Sequence, residues 1–253
     1  MSEGPWNLME KKEDKTYYQR AHGKKSLEMA FAFRHRYFLF IMTYIGAFSL
    51  SMRGATVDED LYSLFNPGRL ELMLFSLAFS IVGIVGFFFR LWAAGYIGSE
   101  TVHSQNIVTS MVITQGPYAH TRNPLYFGLL LIALGFLPEL SLIGFIFLLV
   151  SNALLVAVLI GIEQKAHIDV GGPEYLAYQN SVPLLFPSLK RRTPSAQTPF
   201  NLKEGFRTEA MNIFVFSTLV ASLTLNGTYF LLTVIFLFLA GGLLKLYLDH
   251  RET

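Results

Sequence analysis

Residues equipped for chemistry are densest in GPYAHTRNPLYFG, residues 116–128. Gly116 and Pro117 punctuate a turn, Asn123 is a good helix N-cap, and Pro124 fits the first helical position, where its missing N–H loses nothing. A helix starting here presents free backbone N–H groups and the positive end of its dipole. Arg122 adds a full charge in a fork suited to carboxylate or phosphate. Arg122 and Tyr126 then lie one turn apart and can face one cleft. The same pattern also fits a plain capped helix start, with Arg122 a topology charge and Tyr126 an interfacial belt residue. Glu163 closes a later apolar run, where a carboxylate requires a cationic ligand, Lys165 or water beside it. Beyond it, Tyr175 and Tyr178 recur in EYLAYQNSVPLLFP, with Val182 and Leu185 continuing an apolar stripe; this pattern predicts a short helix lying on a membrane surface.

Several chemistries are excluded or left without a signature. With no cysteine, the chain has no disulfide, thiolate nucleophile or Cys-ligated zinc. Its 6 histidines include no HExxH and no i, i+4 pair, so no metal is expected. Neither GxGxxG nor GxxxxGK occurs, and a nucleotide-like cofactor would have to be held by helix ends and loops. A formal net charge of +2 gives no reason to expect a nucleic-acid partner.

The elements that must position these residues are apolar helices. Of the 253 residues, 52% are hydrophobic and 15% charged, and mean hydropathy is +0.42; soluble domains run at about a quarter charged. Apolar runs cover residues 37–51, 70–91, 125–137, 140–162, 211–225 and 228–248, against the roughly 20 residues a helix needs to span a bilayer. The prediction is an all-α, polytopic membrane bundle of about six transmembrane helices. Pro138 and Glu139 separate the short third run from the fourth, giving a tight helical hairpin, and Asn226 and Gly227 make a similar turn.

Residues 1–36 form a basic arm with no apolar run and hence no signal peptide; 37–91 hold the first two spans, 92–189 the core with the hairpin and an interfacial segment, and 190–253 a basic linker and the last two spans. Arg90, Arg122, Lys165, Lys190, Arg191, Arg192, Lys203 and Arg207 lie on the cytoplasmic side by the positive-inside rule. The segment 52–69, with Asp58, Glu59 and Asp60, lies opposite. Both termini are then cytoplasmic, Pro138 and Asn226 are not, and residues 190–192 meet anionic membrane lipids.

FRLWAAGYIG, GPYAHTRNPLYFG, a hairpin, Glu163 and then GGPEYLAYQNSVPLLFP resemble, in order and spacing, the membrane-embedded isoprenylcysteine carboxyl methyltransferase and phospholipid methyltransferase superfamily. The resemblance covers residues 89–187. It implies S-adenosylmethionine (S-adenosyl-L-methionine) held at the cytoplasmic helix ends and a lipophilic acceptor entering from the bilayer. It also implies cofactor contacts from His103, Ser110, Met111, Val112, Ile113, Tyr118, Asn123, Pro124, Leu125, Tyr126 and Glu163.

Arg122 and Glu163 become the catalytic pair, Arg122 fixing the acceptor's or the cofactor's carboxylate and Glu163 the cofactor's ammonium. Asn123 stands in place of the family's usual His, and Gln164 where many members have a second Glu. Leu159 occupies the place of a substrate-binding Arg in the eukaryotic isoprenylcysteine enzymes, and the GxG element of the phosphatidylethanolamine enzymes is absent. Carboxylate O-methylation is the favoured reaction. The alternatives are amine N-methylation of a phospholipid with Glu163 as base, a nicotinamide-dependent reductase similar to sterol reductases, and a non-catalytic lipid-binding membrane protein.

Overall fold

The computed structural model describes residues 31–52, 54–98, 113–193 and 199–209, leaving aside the side chains of 169–174. The elements are α1 (Arg36–Ser51), α2 (Val57–Phe65), α3 (Arg69–Ile97), a 3-10 turn (Gly116–Ala119), α4 (Pro124–Gly135), α5 (Leu142–Ser181) and α6 (Leu202–Thr208). Among the described residues the fold is all-helical. The four apolar runs between residues 37 and 162 fall on α1, α3, α4 and the first part of α5. The two later runs, the Asn226 turn and the arm up to residue 30 lie outside the described residues.

Two helical stretches are long and apolar enough to cross a membrane, Arg69–Ile97 with 29 residues and Leu142–Ile168 with 27; α4 is shorter, at 12 residues. Their outward faces are apolar at helical spacing. Leu74, Leu77, Ile81, Val85 and Phe88 are exposed on α3, and Ile143, Ile146, Val150, Leu154 and Val158 on α5. A surface of that kind is tolerated in hydrocarbon and is an aggregation hazard in water.

Inside, α4 packs chiefly against α3, and α1 against α5; α4 touches its chain neighbour α5 less. Small residues bring the α3 and α4 backbones together. A Cβ on Gly86 would come within 2.6 Å of the Gly128 carbonyl oxygen, one on Gly128 within 2.6 Å of the Gly86 oxygen, and one on Gly135 within 2.8 Å of the Gly83 Cα. Glycine is thus required by the approach itself, as at small-residue crossings in membranes. Gly86→Leu should destabilise the protein by about 1–3 kcal/mol or more, read as a lower unfolding midpoint in detergent. An unchanged midpoint would contradict the crossing.

Phe87, Leu91, Ile132, Ala133, Phe136 and Leu148 fill the core beside this crossing. Asn152, fully buried, donates from Nδ2 to Thr43 Oγ1 at 2.9 Å and ties α5 to α1.

Two elements depart from expectation. Asp58, Glu59 and Asp60, in the segment between the first two apolar runs where no helix is predicted, form the acidic first turn of α2, closed by a capping box between Thr56 and Glu59. The second departure is the length of α5, whose N-terminus is capped by Ser141. It runs unbroken for 40 residues, so no separate surface helix follows residue 162. Tyr175, Tyr178 and Val182 form a buried cluster, and the Tyr178 hydroxyl donates to the Tyr118 carbonyl at 2.9 Å. The apolar stripe therefore faces protein and not lipid.

Candidate functional site

Pro183 cannot continue α5, and it holds Val182 in extended conformation at φ −109 and ψ 131. The chain leaving the helix then runs alongside the segment that precedes α4. Arg122 N–H donates to the Pro183 carbonyl, Ser188 N–H to that of His120, and Arg192 N–H to that of Ala119, each at 2.9 Å. Side chains reinforce the seam, with Thr121 Oγ1 donating to the Leu185 carbonyl at 2.9 Å and His120 Nδ1 lying 2.8 Å from the Ser188 carbonyl oxygen.

Gly116 opens this segment with φ 56, a left-handed conformation, beneath the ring of Tyr96. Asn123 holds the N-cap position of α4, but its side chain makes no capping bond. Its Nδ2 donates instead to the Leu184 carbonyl at 2.8 Å, because the chain leaving α5 lies within reach.

Within this frame the Tyr126 hydroxyl donates to Glu163 Oε1 at 2.6 Å, joining α4 to α5. Tyr126 is buried and is not a lipid-facing belt residue; Lys165, an expected partner of Glu163, is exposed. Phe33, Leu129, Val156, Leu159 and Ile160 pack around Tyr126. Leu159 is fully buried among them, so the position where the resemblance has an Arg belongs to the core here.

Arg122 lies within hydrogen-bond reach of Tyr175. Its charge acts on the phenols of Tyr175 and Tyr178, and Glu163 acts on Tyr175 as well, which puts both charged groups in one neighbourhood. Burial pushes the phenols of Tyr118, Tyr175 and Tyr178 above their ordinary range, and the guanidinium opposes this only for the latter two. All three remain neutral at physiological pH.

Around them, Arg122 Nε and Nη1, Tyr118 Oη, Gln164 Nε2, His167 Nδ1 and Gln179 Oε1 are buried without a hydrogen-bond partner. The His167 ring stacks on Tyr175, with centroids 5.1 Å apart and planes 21° apart. Buried polar atoms lacking partners are rare and costly, and several in one place, with a carboxylate and a guanidinium, suit a ligand that carries both donors and acceptors.

The structure brings Tyr118, Arg122, Asn123, Pro124, Tyr126 and Glu163 into this region. Leu125 contributes its carbonyl, which accepts from Arg90 Nη1 at 2.8 Å. Ile113 begins the described segment, and His103, Ser110, Met111 and Val112 lie outside the described residues. Among the described residues no group of three or more His, Asp or Glu is placed to hold a metal ion.

Three features escape the motif reading. Gln164, His167 and Gln179 join the site, and the signal for the first two is their position within one turn of Glu163. Arg90 has a partner in the fold. It is buried in α3 and makes a bidentate pair with Glu209, Nε to Oε2 at 2.8 Å and Nη2 to Oε1 at 2.9 Å. Its signal is a guanidinium inside FFFRLW, within an apolar run and not beyond it. Arg36 is likewise buried, donating to the Phe33 carbonyl at 2.7 Å with its guanidinium over the Phe33 ring. Comparison with protein-family models, with curated proteins and with solved structures gives no match.

Proposed function

We propose that this chain is an integral membrane S-adenosylmethionine-dependent methyltransferase, of the kind its resemblance implies, acting on a lipophilic acceptor with a carboxylate oxygen as the favoured methyl acceptor. The reading includes six spans, the third and fourth as a hairpin, with both termini and the site on the cytoplasmic side. The observation that carries it is the convergence of Glu163, hydrogen-bonded to Tyr126, with Arg122 and unpartnered buried polar atoms amid aromatic rings. Such a set matches a zwitterionic amino-acid end joined to an aromatic base. When bound, S-adenosylmethionine supplies an electrophilic methyl group on a sulfonium sulfur.

Glu163, oriented by the Tyr126 hydroxyl, would hold the ligand's ammonium, and Tyr118 and Tyr126 would line the adenosine and sulfonium surfaces. Phe33, Leu129, Val156, Leu159 and Ile160 keep water from the Tyr126 side. For a carboxylate acceptor no residue has to move a proton, so the protein's task is alignment, worth about 7–11 kcal/mol when both reactants are held in line. The exposed apolar faces of α3 and α5 supply a route from lipid. Calorimetry on the full chain in detergent should show binding of S-adenosylmethionine or its demethylated product, and weaker or no binding of a reduced nicotinamide dinucleotide. The opposite preference would transfer the assignment to a reductase, and binding of neither to a non-catalytic lipid-binding protein.

A further inference from the structure

We propose that residues 184–192, the chain that leaves α5 and runs beside the start of α4, form a seat for anionic lipid that tightens the seam over the site. In this seat Phe186 and Leu189 enter the headgroup region, and Lys190 and Arg191 meet lipid phosphates. From charge alone, residues 190–192 are expected at anionic membrane lipids. The structure adds an apolar pair beside that charge, and hydrogen bonds that carry its position to the site. Phe186 is 74% exposed and Leu189 101%, and Lys190, Arg191 and Arg192 are exposed as well. Large apolar side chains that stand out of the surface next to a basic run suit an anionic bilayer surface, where the apolar groups leave water and the charges meet their opposite.

Neighbouring rings set the depth. Phe186 packs edge-on against Phe127 in the first turn of α4, with ring centroids 6.2 Å apart; Phe127 meets Phe89 at 5.2 Å, and Phe89 meets the exposed Trp92 at 5.8 Å. These rings gather where α3 ends and α4 begins, and aromatic side chains at the ends of membrane helices mark the boundary between hydrocarbon and water. Phe186 therefore stands at headgroup height. The backbone on either side of it lies in the seam: the Leu184 and Leu185 carbonyls accept from Asn123 Nδ2 and Thr121 Oγ1, and Ser188 N–H donates to the His120 carbonyl. Arg192 N–H closes the far end on the Ala119 carbonyl. A bilayer that holds Phe186 and Leu189 thus holds residues 119–123 against the chain leaving α5, whichever ligand the site takes.

Hydrogen exchange on the full chain in nanodiscs is the test. In phosphatidylglycerol, peptides covering residues 119–122 and 188–192 should exchange about five- to tenfold more slowly than in phosphatidylcholine, because basic residues drawn to an anionic surface favour the closed seam. High salt should remove the difference. Leu189→Ser, at a side chain that is fully exposed, and the double variant Lys190→Gln with Arg191→Gln should each bring the rate in phosphatidylglycerol back toward that in phosphatidylcholine. The chain has no cysteine, so Leu189→Cys can carry a single environment-sensitive fluorophore, whose emission should shift to the blue in phosphatidylglycerol. Equal exchange in the two lipids would overturn the seat. A label that stays in water in both would also overturn it and leave the patch to an acidic protein partner. Slow exchange in phosphatidylglycerol that survives both Leu189→Ser and the double variant would overturn it as well, by tracing the effect to the bilayer around the spans.

Discussion

Arg90→Met should destabilise the protein by about 3–5 kcal/mol, because it leaves a carboxylate buried without its guanidinium. Glu209 is fully buried, and its two oxygens accept from Arg90 Nε and Nη2 at 2.8 and 2.9 Å. The third arm of the fork, Nη1, holds the Leu125 carbonyl in the first turn of α4. The same residue thus joins α3, the start of α4 and the end of α6, whose Gly205 rests directly over the Leu91 carbonyl. The double substitution Arg90→Met with Glu209→Leu should recover most of the stability, since apolar replacement of an entire buried pair is often neutral. Unfolding midpoints in detergent for both single variants and the double variant provide the measurement. A single variant as stable as the wild type would show that the pair is not desolvated.

Glu163→Gln should lower cofactor affinity about ten- to a hundredfold, the equivalent of a charge-assisted hydrogen bond worth about 1.5–3 kcal/mol. The substitution keeps the shape and can still accept from the Tyr126 hydroxyl, so the link between α4 and α5 survives while the ligand's ammonium loses its counter-charge. Tyr126→Phe provides the complementary measurement. It leaves the carboxylate but frees it to rotate, and affinity should fall less than with Glu163→Gln. If Glu163→Gln bound the cofactor with wild-type affinity, Glu163 would be reduced to a helix–helix tie.

The helices were legible because hydrophobic runs and breakers are local properties. Pro124, Asn123 and Gly116 each mark a boundary that the structure places at the expected residue. Partnership was much less legible. Asn123 occupies its cap position but gives its amide to Leu184, a carbonyl sixty-one residues away that no local pattern could reveal. Arg90 and Glu209 are 119 residues apart, and the charge count treats each as if it stood alone. Tyr175 and Tyr178 show the same limit in another form. Their spacing predicts an amphipathic face, yet a face that meets protein has the same periodicity as one that meets lipid. Of the site, the motif exposed Tyr118, Arg122, Tyr126 and Glu163 and marked the position of Gln164; His167 and Gln179 were first singled out by burial without partners.

The unbroken course of α5 has a mechanical consequence. Its first 27 residues, Leu142–Ile168, make a rod of about 40 Å, longer than the hydrocarbon thickness of a bilayer, and the helix bends beyond them, because the rings of His167 and Tyr175, two turns apart in the chain, lie 5.1 Å from each other. Exposed apolar residues such as Val150 and Leu154 and the carboxylate at Glu163 are fixed to that single rod. A tilt that accommodates a thinner or thicker bilayer swings the distal end of the rod like a lever. The seam to residues 119–122 resists the swing at that end, so a change in bilayer thickness loads the site directly.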